Sequence, residues 1–208
     1  MLRIGKKAIT STLAWYEDQP FSAQPIELAS FIYGFLLGNH EQSEKVCRRG
    51  LVASPEHWGL NVDLTYALAS LNRLDEARNQ LARIRTLEGS EARAAVIAAN
   101  GGLIAYRAGE IEPGRQFYKE AVDVAVGLVD RRTCASAPIN WAREERRVSI
   151  QGSEVLFQYA DKVLKALSDQ TWAGDIKQML TIARGVEPAA ALVKPAKVPE
   201  LTVAFPEL

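Results

Sequence analysis

The feature that most constrains this chain is an internal repeat with a period near 34 residues. Three stretches align without gaps: FLLGNHEQSEKVCRRGLVASP (35–55), ASLNRLDEARNQLARIRTLEG (69–89) and YRAGEIEPGRQFYKEAVDVAV (106–126). Each carries a turn residue (Gly38, Asn72, Gly109) and, five positions on, a small residue (Ser43, Ala77, Gly114). Four further comes a larger core-type side chain (Cys47, Leu81, Tyr118), and three beyond that stand Gly50, Ile84 and Ala121. Gly38 and Asn72 are 34 positions apart; Asn72 and Gly109 are 37 apart, an excess that the EGSEAR stretch between them would absorb. A period of this length marks an array whose units each bury one face against their neighbours.

The local chemistry makes each unit a helix pair. Gly or Asn supplies the left-handed residue that ends a first helix. Apolar residues such as Ala77, Leu81, Ile84 and Leu87 then recur at helical spacing, not in alternation. Pro55 falls where a second helix has to stop. Small residues are expected where two helix axes approach closely, and larger ones where the gap opens. Gly101 and Gly102 lie inside a helical run, so close helix packing explains them better than a phosphate-binding loop.

On these residues the chain resembles the tetratricopeptide-repeat (TPR) family over residues 24–126. Asn100-Gly101-Gly102 followed by Gly109 looks like that family's first-helix signature. The repeats are divergent. Gly34, Leu68 and Ala105 stand where the family usually has Tyr, and Phe31, Thr65 and Ile84 stand where it prefers small residues. The resemblance implies an all-α fold, a right-handed solenoid of antiparallel helix pairs. Residues 1–23 are then a partial repeat or N-terminal capping helix, and 24–126 three repeats. Residues 127–185 form a degenerate repeat with capping helices, and 186–208 a tail.

The ends are read from the same logic. Residues 6–20 match a second helix, with Ala8 at the small position and Pro20 at the stop. Without a first-helix partner, its apolar face (Leu13, Trp15, Tyr16) is expected to be uncovered. Either Met1 is an internal start in a longer protein or this helix is a native cap; pairing with a second copy would also cover the face. Downstream, 140–148 and 154–167 are expected to be helical, separated by Gly152 with Ser153 as N-cap. The run REERR (143–147) reads as the polar outer face of a cap. Trp172, Ile176, Met179, Leu180 and Ala183 form the stripe of a closing helix ending at Gly185. Four prolines after Val186 rule out a further helix and predict a disordered tail, with LTVAF (201–205) as a short strand or docking peptide if ordered.

Composition excludes several classes of function. The 25 basic and 25 acidic residues cancel, which argues against nucleic acid or anionic lipid as a general partner. No apolar run approaches the roughly 20 residues of a membrane span, and the N-terminus lacks the apolar core of a secretory signal. A cytoplasmic setting is expected. Cys47 and Cys134 stand alone and read as small buried side chains, not as a disulfide or zinc site. His40 aligns with Leu74 and Ile111 and reads as a packing residue; His57 reads as solvated. Adjacent acids such as Asp75-Glu76 and Glu144-Glu145 diverge by about 100° on a helix and read as solvated faces. No nucleophile elbow or phosphate loop is present, and no catalytic, cofactor or metal site is expected.

The function implied by the resemblance is therefore a scaffold or adaptor that holds a peptide or a partner helix in a concave groove. The family's first helices line that groove. Mapped here they give Leu28, Ile32 and Phe35, then Asp63 and Tyr66, then Asn100, Leu103, Tyr106 and Arg107. Leu28, Ile32, Asp63 and Asn100 stand where the family's chaperone clamp places cations and Asn, so an acidic chaperone tail is not the expected ligand. Two alternatives stay open. QPFSAQPIELASFIYG (19–34) resembles bacterial proteins with a PIN-type nuclease domain ahead of such repeats, which would make this the regulatory segment of an enzyme. The other alternative is a secretion chaperone that holds an apolar client.

Overall fold

The three turn residues place the chain reversals. Gly38, Asn72 and Gly109 all have positive φ, at 64°, 59° and 82°. After Asn72 and Gly109 the backbone closes identically. Asn72 N–H donates to Ala69 O and Arg73 N–H to Leu68 O, both at 3.0 Å; Gly109 and Glu110 repeat the pattern on Tyr106 and Ala105. Both are helix C-caps that satisfy terminal carbonyls through a left-handed residue.

The computed structural model describes residues 2–19, 22–87, 92–128, 131–186, 201 and 204–205. Ten α-helices run through them, with no strand among the described residues: α1 (Leu2–Asp18), α2 (Ala23–Phe31), α3 (His40–Ala53), α4 (Trp58–Ser70), α5 (Leu74–Thr86), α6 (Ala92–Arg107), α7 (Ile111–Gly127), α8 (Arg131–Val148), α9 (Ile150–Ala166) and α10 (Ala173–Arg184). The regular structure among the described residues is entirely helical. The expected EGSEAR insertion falls mainly on residues outside those described.

Two compact units divide the chain at Glu88 and Gly89. In the first, α1 lies on α2, α2 lies on α3 and α4, and α4 sits between α3 and α5. Its central position buries α4 on every side, from Leu60 to Ala69. Outside, Arg48 and Arg73 join Glu44 on α3 to Glu76 on α5 at 2.6–3.1 Å. These pairs are largely exposed and contribute little each. In the second unit α8 is the hub, touching α6, α7, α9 and α10.

The small residues stand where the helices approach. A Cβ on Gly50 would come within 2.5 Å of Ile26 and 2.6 Å of Leu60. On Gly102 it would meet the Tyr118 ring at 2.6 Å, and on Gly114 the Tyr106 ring at 2.5 Å. Gly101 is different, facing Phe117 at an ordinary 3.5 Å. Ser43, Ala77, Cys47, Leu81, Ile84, Tyr118 and Ala121 are all buried.

Several expectations are corrected. The apolar face of α1 is not bare at Leu13, which joins Ile9, Ile32, Ala29 and Leu36 in one cluster. Tyr16 carries the Arg49 guanidinium over its ring at 4.6 Å. Beyond α2 the helix widens into a π-helical turn, Ile32–Leu36. That turn seats Gly34 against Ser43, where an added Cβ would lie 3.0 Å from the hydroxyl. His57 is half-buried and has a structural role. It caps α4, its Nδ1 accepting from Leu60 N–H at 3.4 Å. The cap of α9 is Ser149, not Ser153; its hydroxyl accepts from Gly152 N–H at 3.0 Å. Helix α8 starts nine residues before the expected Asn140 and carries Pro138 inside it. The tail departs from disorder at Leu201 and Phe205, which are packed against the protein; most of 186–208 lies outside the described residues.

Candidate functional site

Of the groove residues expected in the first unit, Phe35 and Tyr66 join Phe31 in one aromatic patch, with Leu28 on the same helix face. Leu28, Phe31 and Phe35 recur at helical spacing, so α2 and its π turn bring them to one face. Phe35 stacks on Phe31 (centroids 5.3 Å apart) and on Tyr66 of α4 (4.0 Å, planes 20° apart). His40 meets Tyr66 edge-on at 5.6 Å, the packing role its alignment predicts. Leu28 is 43% exposed, and Phe31 and Phe35 are half-buried. Ile32 turns the other way, into the core with Ile9.

Asp63 lies beneath this patch, buried, and accepts a short hydrogen bond from the Ser30 hydroxyl. Ser43 in turn donates to Ser30 O at 3.0 Å. Asp63 is therefore part of a polar clasp between α2, α3 and α4. Burial first, and then the Asp63 charge, push the Cys47 thiol far above its usual range. A thiol so placed is expected to be unreactive.

The groove residues from the second unit are sequestered. Asn100 is buried and donates to Val96 O at 3.0 Å, and Leu103 is core. Tyr106 donates a short hydrogen bond to Glu145 and accepts one from the Trp141 indole N–H at 2.9 Å. Arg107 holds Glu144 at 2.6 Å. Tyr106 and Arg107 are framework for α8, and all four side chains present little surface to a ligand.

The charged core of the second unit overturns the reading of REERR as a solvated face. Glu144 and Glu145 are both 0% exposed. Their directions diverge as helix geometry requires, but each meets arginines instead of water. Glu145 receives Arg115 Nη2 at 2.6 Å and Nε at 3.1 Å, a forked pair of bonds. Glu144 receives Arg107, Arg143 at 2.8 Å and Arg147 at 3.3 Å. Burial alone pushes the Glu144 carboxyl upward; Arg143, Arg107 and Arg147 outweigh it and hold the group down at about 2. Tyr106 is raised far above its usual range, first by burial and then by the Glu145 charge. Arg115 loses from burial but gains more from Glu145, so it stays charged.

The sequence held one signal for this network. Gly152, expected as a break between helices, lies within α9, and a Cβ there would sit 2.7 Å from Glu145 Oε1. Small residues opposite a charge run mark a buried charge. Among the described residues no group of three or more potential metal ligands converges, and no helix is long and apolar enough to cross a membrane. No protein-family model, curated protein or solved structure matches the chain.

Proposed function

We propose that the protein is an interaction module of the TPR type: a right-handed solenoid of helix pairs that acts as a scaffold or adaptor for another protein. Three features support the reading. The turn geometry recurs at the repeat positions; small residues seat close helix contacts at those positions; and first helices lie beside first helices within each unit, α2 by α4, α6 by α8 and α8 by α10. The observation that carries the binding role is the Leu28–Phe31–Phe35 face. It leaves a large apolar side chain 43% exposed beside stacked aromatics on a fixed helix, the composition of an interface anchor. The ligand that fits is an amphipathic helix or an apolar peptide. Of the mapped groove residues, Leu28 and Phe35 are the binding candidates; Ile32, Asp63 and Tyr66 are buried beside them in the first unit, and Asn100, Leu103, Tyr106 and Arg107 serve the packing of the second.

The test is affinity capture from cells with wild-type protein and with Leu28→Glu. That exposed change should alter stability by no more than about 0.5 kcal/mol. A protein enriched by wild type and lost with Leu28→Glu, at unchanged helical circular dichroism, supports the module. Equal enrichment on both removes this face from the account. An enriched enzyme fragment or secreted client would select the regulatory or chaperone variant. Self-association through α1 is the competing use of an apolar face, and mass in solution decides it. A cytoplasmic location belongs to the same proposal and is read by fractionation.

A further inference from the structure

The repeat pattern makes no use of the C-terminal stretch, yet Leu201 and Phe205 within it are packed. Leu201 is 9% exposed. Phe205 lies ring to ring with Tyr159, centroids 4.1 Å apart and planes within 11°, and meets Trp141 edge-on at 6.2 Å. The receiving rings are built into the second unit. Trp141 stacks on Tyr118 at 6.1 Å and its indole N–H is fixed on Tyr106. Tyr159 is buried in the inner face of α9. The receiving surface is thus preorganised by α7, α8 and α9. Phe205, by contrast, comes from residues without helix or strand. An aromatic anchor on irregular chain, set against fixed rings, is how peptides dock on folded domains.

We infer that the Trp141–Tyr159 surface is a receptor for an apolar peptide with an aromatic anchor, and that Phe205 of this chain is its resident occupant. A partner of the same chemistry engages the receptor by displacing Phe205. This deepens the interaction-module reading and rests on it for its biological use, although the contact itself is intramolecular. Tethering gives the tail an effective concentration on the order of millimolar. A free peptide of equal intrinsic affinity therefore competes poorly until the tail is released.

The experiment is fluorescence anisotropy with a labelled synthetic peptide of residues 199–208, PELTVAFPEL, and with the same peptide carrying Phe205→Ala. Each is titrated with the full chain, wild type or Phe205→Ala. The native peptide is expected to bind the Phe205→Ala chain at least ten-fold more tightly than wild type. The altered peptide is expected to bind neither. Equal binding of the native peptide to both chains, or to neither, overturns the inference, as does equal binding of the two peptides. Phe205 is peripheral, and matching circular dichroism for the two chains establishes that both are folded. No cellular partner is used, so the capture experiment above and this one fail independently.

Discussion

Adding a single methyl group at Gly114 should destabilise the second unit, although alanine is the better helix former. The new Cβ would lie 2.5 Å from Tyr106 Cδ2 and 2.9 Å from Cε2, about 1 Å inside ordinary carbon contact. The ring cannot swing away freely, because its hydroxyl is held by Glu145 and Trp141. Overpacking of this kind costs about 1–3 kcal/mol, and the gain in helix propensity returns at most about 1 kcal/mol. The net loss of up to about 2 kcal/mol corresponds to a Tm lower by up to about 8 °C for a chain of this size. Gly127, at the end of the same helix, has nothing within 4 Å of its Cβ position. Gly127→Ala should therefore be neutral or raise Tm by up to about 4 °C. Both sites lie in one unit, so the comparison holds whichever unit melts first. Calorimetry of the two variants reads the difference. If Gly114→Ala is as stable as Gly127→Ala, the helices do not approach at the repeat's small positions and the packing argument fails.

Three further outcomes follow from the buried polar groups. Glu145→Gln should cost about 1–3 kcal/mol in urea unfolding, because Arg115 loses its buried carboxylate partner and keeps only the exposed Glu112 at 2.8 Å; the double variant with Arg115→Met should recover part of that loss. The Glu144 carboxyl is held at about 2, below its ordinary 4.5. Its contribution is present in full above the ordinary value and is lost as pH falls towards 2, by an amount on the order of 3 kcal/mol. Urea midpoints measured between pH 6 and pH 2 should fall less steeply for Glu144→Gln than for wild type. Cys47 and Cys134 are buried free thiols. Neither should react with Ellman's reagent in the native state, and both should react in denaturant; rapid native labelling of Cys47 would contradict its place between α2, α3 and α4.

The parts of the fold that were legible in the sequence are those governed by local chemistry. A positive φ restricts residue choice on the spot, so Gly38, Asn72 and Gly109 could be read directly, and a glycine inside a helix announces close contact at Gly102 and Gly114. The buried charges could not be read this way. Glu144 and Glu145 look solvated beside their own neighbours, and their partners Arg107 and Arg115 lie 37 and 30 residues away. The first helices are legible, but not that α8 covers Tyr106 and Arg107, because the REERR run reads locally as a polar cap. The π turn at Ile32–Leu36 likewise has no local signature. Period and turns specify which residues face inward, whereas the accessible part of that face depends on tertiary cover.

The continuation of the repeat through α8 is the claim on which the rest depends, and the Trp141 indole N–H reports on it directly. In a nitrogen-edited NOESY spectrum of the full chain, that proton should show cross-peaks to the Tyr106 and Tyr118 rings and exchange slowly with water. A Trp141 indole that exchanges freely and shows no Tyr106 cross-peak would mean that α8 does not stack on α6, and the account would fall with it.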